Sequence, residues 1–234
     1  MKLHKLKLLL AVGAFAFVAT PRASATAELQ ISDGTTTVTV IASSCGPGCD
    51  AAAYNSIVSG PIGGWSIVFT AGDANPIPGQ NPIMDLTGNF TYRGTGPGTL
   101  TVRWSDTNFQ PAVSGFQQNT GGTINTLNGT VTNTLYGGTT DILFDTTNKI
   151  GSTMTFSNPP INFNGTQTSY LNGLSVNPYS LTQVATISFS GPGSGSIGDW
   201  SVDSIPEPAG VLLLGTAMLF AVRAARRKVA SKRA

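Results

Sequence analysis

The segment TLTVRWS (Thr99–Ser105) shows the alternation that decides the fold. It places Leu100, Val102 and Trp104 on one side of an extended chain and polar side chains on the other, because successive side chains of a strand point to opposite faces. Strict alternation of this kind predicts a strand with one buried face and one hydrated face. Such strands are typical of antiparallel sheets that are covered on one side by a second layer.

The same alternation recurs along the chain between turn signals rich in glycine, proline and asparagine. It occurs in TTTVTVI (35–41), WSIVF (65–69), VATISFS (184–190) and GDWSVDS (198–204). No apolar stretch with a helical period stands out. We therefore predict an all-β body, a single antiparallel β-sandwich or jelly-roll-like domain over residues 26–203.

The first 25 residues have the layout of a secretory signal peptide. Basic residues precede an apolar run from Leu8 to Ala19, and the small-residue pattern Ala23-Ser24-Ala25 follows. We expect a signal peptidase to cleave after Ala25, which would deliver the body to an oxidising compartment.

The chain ends in a proline-rich turn, an apolar run and a basic stretch. Pro206, Glu207 and Pro208 precede the uncharged residues 209–222, and arginine and lysine dominate residues 223–234. A helix over the apolar run would span roughly 21 Å, less than the roughly 30 Å of a hydrocarbon core. The basic end would stay in the cytoplasm, so the body would lie on the other side of the membrane. We expect a short, transient membrane helix.

These features of residues 204–234 resemble the PEP-CTERM sorting signal of exported bacterial proteins. The resemblance implies recognition of Pro206-Glu207-Pro208 by an exosortase and delivery to the cell surface or extracellular matrix. The stretches SDGTTTVTV (32–40) and GGWSIVFTAG (63–72) also resemble the bodies of exported proteins with this signal. The resemblance predicts where the protein is delivered and implies no activity.

The charge of the body limits the classes of partner and chemistry. Residues 26–205 contain three basic residues, Arg93, Arg103 and Lys149, against ten acidic ones. This balance argues against nucleic-acid binding, which needs clustered lysine and arginine. The one histidine, His4, lies in the predicted signal peptide. If that segment is removed, histidine-based triads and histidine-ligated zinc sites are excluded from the mature body. We predict no catalytic residues, no cofactor and no metal.

Two cysteines, Cys45 and Cys49, flank a Gly-Pro-Gly turn. In an exported protein they favour a local disulfide, which we expect to stabilise the fold by roughly 2 kcal/mol. Free thiols are the alternative. A redox pair is disfavoured because three residues separate the cysteines instead of two.

Other residue patterns leave alternatives open. Asp106–Asn108 and Asp145–Asn148 supply oxygen ligands suited to calcium, although such residues more often bond their own backbone in turns. Trp65, Trp104 and Trp200 fall in alternating strands, which favours positions in the core. The alternative is a sugar-binding role, since sugar-binding proteins stack exposed tryptophans on the sugar rings.

The Thr35–Thr37 run is typical of water-ordering faces in ice-binding proteins, but it is not repeated in this chain.

We therefore expect a non-catalytic exported surface or matrix protein. The alternative is a carbohydrate-binding module for exopolysaccharide, and a secreted hydrolase or an ice-binding protein is less favoured. A glycosidase needs two carboxylates facing one bond, but a body with nine aspartates contains pairs by chance.

Overall fold

The computed structural model describes residues 27–41, 54–73, 84–109, 115–157, 162–170, 178–205 and 216. Within these ranges the chain forms twelve strands. They are β1 (Glu28–Ser32), β2 (Thr37–Ile41), β3 (Tyr54–Ile62), β4 (Trp65–Asp73), β5 (Met84–Tyr92), β6 (Gly98–Phe109), β7 (Gly115–Ile124), β8 (Gly129–Gly138), β9 (Asn148–Ser157), β10 (Asn162–Tyr170), β11 (Tyr179–Phe189) and β12 (Gly193–Ile205).

The strands form two six-stranded antiparallel sheets that pack face to face. The first sheet has the order β2-β1-β6-β11-β8-β9, and the second has the order β10-β7-β12-β5-β4-β3. Neighbouring strands such as β6 and β11 are distant in sequence, so the connections cross between the sheets. The prediction of an antiparallel β-sandwich is confirmed.

The inward face of the alternating segments forms the core. Leu100, Val102 and Trp104 are all 0% exposed. Trp65 is 2% exposed and Trp200 is 0% exposed. All three tryptophans are therefore core residues, and the sugar-stacking alternative is wrong for them.

Several polar side chains also point inward and connect the two sheets by hydrogen bonds. Three amides, Gln118, Asn133 and Gln183, are each at most 1% exposed, and we call them the inter-sheet amides. Their bonds run from Asn133 Nδ2 to Thr120 Oγ1 (2.6 Å), from Gln183 Nε2 to the Trp200 carbonyl (3.2 Å) and from Gln118 Nε2 to the Ile150 carbonyl (3.4 Å). Trp104 Nε1 makes a fourth bond, to the Gly72 carbonyl at 3.2 Å.

The second strand is shorter than the sequence predicts. Asp33 Oδ1 accepts hydrogen bonds from the backbone N–H groups of Thr35 (2.9 Å) and Thr36 (2.7 Å). These bonds hold both threonines in the β1–β2 turn, so β2 begins at Thr37. They also lower the pKa of Asp33 from its ordinary value.

Several predicted features lie outside the described residues: the signal peptide 1–25 with Ala23 and Ala25, Cys45 and Cys49, the Pro206-Glu207-Pro208 motif, and all of the apolar run except Thr216. Among the residues that are described, no helix has the length and apolar character needed to cross a membrane. The last strand, β12, continues past residue 203 to Ile205, directly before Pro206.

Candidate functional site

The outward side of the first sheet carries rows of hydroxyl groups, and we call it the hydroxyl face. Alternation turns the apolar residues of each strand inward, so the threonines and serines between them point to solvent. One row crosses all six strands of the sheet, and its register places one hydroxyl residue on each strand. This row consists of Thr37, Ser32, Thr101, Thr186, Thr132 and Thr155. With neighbouring strands about 4.8 Å apart, the row extends for roughly 24 Å.

A second, parallel row crosses four strands and consists of Thr99, Ser188, Thr130 and Ser157. Its hydroxyls bond each other in pairs, Thr99 with Ser188 at 3.2 Å and Thr130 with Ser157 at 3.4 Å. Each hydroxyl has one donor and two acceptor positions, so a pair keeps hydrogen-bonding capacity for a ligand. The mutual bonds also restrict the rotamers and orient the groups in advance.

A third row contains the charged group of the face. Arg103 lies between Gln30 of β1 and Val184 of β11. Its Nη1 donates to Gln30 Oε1 at 3.2 Å, and Gln30 Nε2 donates to Thr39 Oγ1 at 3.5 Å. The guanidinium is therefore held by a short chain of neutral groups on its β1 side.

The loop between β8 and β9, residues 139–147, closes one end of the hydroxyl face. The Phe144 N–H donates to Ser105 Oγ at 2.9 Å. The Asn108 N–H donates to Asp141 Oδ1 at 2.7 Å, which ties the loop to the end of β6. These contacts cover the sheet at Ser105. The three rows described above lie beyond Ser105 and are not covered by this loop.

The aspartates considered for calcium support the backbone of this end. Asp106 Oδ1 accepts from the Thr107 N–H at 2.6 Å, and Asp145 Oδ1 accepts from the Thr147 N–H at 2.9 Å. The hydrogen bonds from the hydroxyl and N–H of Thr147 lower the pKa of Asp145. Across the described ranges, no three acidic, cysteine or histidine side chains are grouped so that they could hold a metal ion. The turn interpretation fits Asp145, which bonds the backbone two residues on, whereas Asp106 lies within β6.

The outward side of the second sheet has a different character, and we call it the acidic face. The strands of this sheet contain no lysine or arginine. Asp199 lies close enough to Asp85 and to Asp203 for its charge to act on both carboxyl groups. Burial, and then the charge of Asp199, raise the pKa of Asp85, although the N–H groups of Leu86 and Trp200 bond its carboxylate. Burial also raises the pKa of Asp203, and the charge of Asp199 adds to this effect.

The raised pKa of Asp85 predicts a stabilising substitution. Between the ordinary and the raised pKa the folded protein binds more protons than the unfolded chain, so its stability falls as pH rises through this window. Asp85→Asn removes the charge, and we expect it to raise the free energy of unfolding at pH 7 by on the order of half a kcal/mol, since solvent screens a partly exposed carboxylate.

Thermal unfolding at pH 7 and pH 3 measures the effect of Asp85→Asn. The gain should disappear at pH 3, where Asp85 is protonated in the parent protein. Asp33→Asn is the matched control, because the pKa of Asp33 is lowered. We expect that control to be less stable than the parent at pH 7. A loss of stability in Asp85→Asn at pH 7 would contradict the prediction.

The sequence indicated only part of the hydroxyl face. Of the Thr35–Thr37 run, only Thr37 belongs to the six-strand row, because the other two residues lie in the turn. The other threonines come from separate strands and stand at every second position, as in Thr99-x-Thr101 and Thr153-x-Thr155. This spacing indicates that the threonines of one strand lie on the same face. The local sequence does not show which strands are neighbours, and therefore does not show which threonines form one row.

The chain matches no protein-family model and no curated protein. Several solved β-sandwich structures are similar to it at a distance. A carbohydrate-binding module described as specific for non-crystalline cellulose, CBM28, has 8% identity and a TM-score of 0.37 over 62% of this chain and 89% of the other. The CBM22-1 xylan-binding domain of Paenibacillus barcinonensis Xyn10C has 6% identity and a TM-score of 0.33 over 65% and 86%.

An enzymatic domain is also similar at this level. The enzymatically active domain of bacteriophage CBA120 tailspike protein 4 has 11% identity and a TM-score of 0.34, and the match covers 61% of this chain. The chain spans only 20% of that tailspike domain. These similarities are too distant to bear on ligand or activity.

Proposed function

We propose that this chain is an exported, non-catalytic surface or matrix protein that binds polysaccharide on its hydroxyl face. The observation that carries the proposal is the row of hydroxyl residues across all six strands of the first sheet. A polysaccharide presents a repeating series of hydroxyls that both donate and accept hydrogen bonds. The threonines of the row offer the complementary groups over a length of several sugars. The Ser32 hydroxyl is already bonded to Gly34, Thr36 and Thr37.

The mode of contact differs from aromatic stacking. All three tryptophans are buried, so the affinity would come from many weak hydrogen bonds and from contact between threonine methyls and the C–H groups of the sugar. A net hydrogen bond contributes about 1 kcal/mol. Binding of this kind suits a long polymer that meets several proteins at once, because linked weak contacts add avidity.

The distribution of carboxylates supports a binding role without hydrolysis. In the described strands of the first sheet, the carboxylates are Glu28 and the fully buried Asp106. A glycosidase needs a pair of carboxylates about 5–9.5 Å apart across one bond, and Asp106 is not available to a ligand. The clustered carboxylates Asp85, Asp199 and Asp203 belong to the opposite sheet.

Export and sorting complete the proposal. The signal peptide 1–25 would be removed by a signal peptidase, and an exosortase-type enzyme would recognise Pro206-Glu207-Pro208. The sandwich would then reach the cell surface or matrix, where exopolysaccharide is found. A second tag after Ala234, lost from the exported form while a tag in the body is kept, would support this sorting.

Removing hydroxyls from the six-strand row tests the binding. The triple variant Thr101→Val, Thr132→Val and Thr186→Val keeps β-branched side chains and removes three hydroxyls. We expect its affinity for a bound polysaccharide to fall by at least tenfold, since three lost bonds of about 1 kcal/mol each exceed the 1.4 kcal/mol of one decade. Affinity electrophoresis in gels that contain neutral, uronate-containing or sulfated polysaccharides measures the affinity of the parent and of the triple variant.

The matched control makes the same change on the acidic face, with Thr70→Val, Thr87→Val and Thr91→Val. This control should bind as the parent does. The proposal would be overturned if no polysaccharide slowed the migration of the parent protein in the gel, or if the control lost as much affinity as the triple variant.

An ice-recrystallisation assay tests the alternative that the face orders water as ice-binding proteins do. We expect no activity there, because strands rotate by about 20–25° relative to their neighbours and a six-stranded face does not match one crystal plane.

A further inference from the structure

We infer that the polysaccharide bound by the hydroxyl face is acidic, and that a uronate carboxylate of the polymer pairs with Arg103. This inference rests on the proposed function and names the ligand class of the same face. Its starting point is the unequal distribution of charge between the two sheets. The strands of the first sheet carry Arg103 and Lys149 beside Glu28 and the buried Asp106, whereas those of the second carry Asp85, Asp199 and Asp203 and no basic residue.

Arg103 has no ionic partner in the described part of the chain. Its neighbours across the strands are the neutral Gln30 and Val184. Its one polar contact is the bond from Nη1 to Gln30 Oε1 at 3.2 Å, and its buried Nε has no hydrogen-bond partner. Glu28, on the next strand, is paired in register with Ser105 and forms no ion pair with Arg103. A cation held among neutral groups on a binding face favours an anion from the ligand.

The chemistry of the guanidinium selects among anions. Its planar fork of N–H donors matches the two oxygens of a planar carboxylate, and such bidentate pairs are stronger and more directional than contacts of a lysine ammonium. The hydroxyls of Thr101 on the same strand and Thr186 on the next strand lie in the adjacent row. A uronate residue presents a carboxylate next to ring hydroxyls, which is the combination that Arg103 and these threonines complement.

Lys149 supplies a second positive charge along the same face. It is paired in register with Tyr136, and its Nζ donates to Thr153 Oγ1 at 2.6 Å. Lys149 lies on β9, three strands from Arg103 on β6, in the adjacent row that contains Ser105. The two residues are therefore roughly 14 Å apart across the strands and about 7 Å apart along them. A polymer with repeated carboxylates can contact both charges at once, whereas a single sugar acid cannot.

The acidic face does not oppose this arrangement. Stacked sheets lie about 10 Å apart, and the Debye length is about 8 Å at physiological ionic strength. The carboxylates of the second sheet are therefore largely screened from a ligand on the first. They orient the protein, because an acidic polymer is repelled from one face and attracted to the other.

Varying the charge on both protein and ligand tests the inference. Binding of the parent protein to polygalacturonate is compared with binding to the same polymer after methyl esterification, which removes the negative charge and keeps the chain. We expect at least tenfold weaker binding to the ester. Arg103→Gln should lose at least tenfold in affinity for polygalacturonate and bind the ester as the parent does. Arg103→Lys should fall between them, because it keeps the charge and loses the fork.

Arg93→Gln is the matched control, since it removes the same charge at the exposed turn after β5. It should bind polygalacturonate as the parent does, and thermal unfolding should show that all variants remain folded. Equal binding of the acid and the ester by the parent, or an unchanged affinity in Arg103→Gln, overturns the inference. If either of these results is found and the threonine triple variant still loses affinity, polysaccharide binding by the hydroxyl face stands and only the pairing of Arg103 with a uronate is rejected. If the parent binds no polymer at all, both fail.

Discussion

Replacing Trp104 by alanine is expected to remove most of the stability of the sandwich. The indole is 0% exposed, and its Nε1 donates to the Gly72 carbonyl of the opposite sheet at 3.2 Å. Truncating a buried tryptophan to alanine costs about 3–5 kcal/mol, which is a large part of the 5–15 kcal/mol that stabilises a typical domain. Urea unfolding followed by circular dichroism measures the loss.

Trp104→Phe separates the two contributions of this side chain. It keeps most of the ring volume and removes the hydrogen bond between the sheets, so we expect a smaller loss of about 1–3 kcal/mol. A loss below about 1 kcal/mol in Trp104→Ala would contradict the central position that the fold gives this residue. It would mean that the surrounding core collapses around the vacated volume.

The second large effect is expected for Asn133→Asp, which changes one buried atom of an inter-sheet amide. The side chain is 0% exposed, and its Nδ2 donates to Thr120 Oγ1 at 2.6 Å. An ionised carboxylate at this place would be buried without a cation. The effective cost of burying such a charge is several kcal/mol, so we expect the variant to be largely unfolded at pH 7.

The effect of Asn133→Asp should depend on pH. Burial raises the pKa of a carboxyl above its unfolded value. The folded state then binds the extra proton, and the penalty shrinks as pH falls through the raised pKa. Asn89→Asp is the control, because Asn89 is exposed on the outward side of β5. It should change stability by less than about 0.5 kcal/mol at either pH. Equal effects of the two substitutions at pH 7 would refute the prediction.

Buried polar residues explain why two of the strands were not predicted from the sequence. β4 and β6 were predicted because their inward positions carry residues such as Ile67 and Leu100. β7 and β10 were not predicted, since their inward positions include the polar Gln118, Thr120 and Ser169. The alternation of apolar and polar residues disappears in such strands, although Gln118, Thr120 and Ser169 are each at most 8% exposed. Gln118 and Thr120 are acceptable inside because they hydrogen-bond to the opposite sheet, and the local sequence does not contain those contacts.

The hydroxyl face shows a similar limit. Alternation alone predicts that Thr101 and Thr186 point to solvent. That they are direct neighbours depends on the register of β6 with β11, two strands far apart in the chain. Register between distant strands is set by the whole core. The composition of the face was therefore predictable and its rows were not. The placement of Arg103 among neutral partners is likewise a property of three strands together.

The position of β12 has a consequence for the order of folding. It is the last of the described strands along the chain, yet it lies between β7 and β5 in the second sheet. Until it is available, that sheet consists of a β10-β7 pair and a separate β5-β4-β3 group. Two strand edges that are internal in the finished domain remain open, and such edges pair readily with other chains. Folding dominated by distant pairings is also slow, in the range of milliseconds to seconds. The sandwich therefore closes only after residues 193–205 are free to pair, and until then the two open edges can pair with strands of other chains.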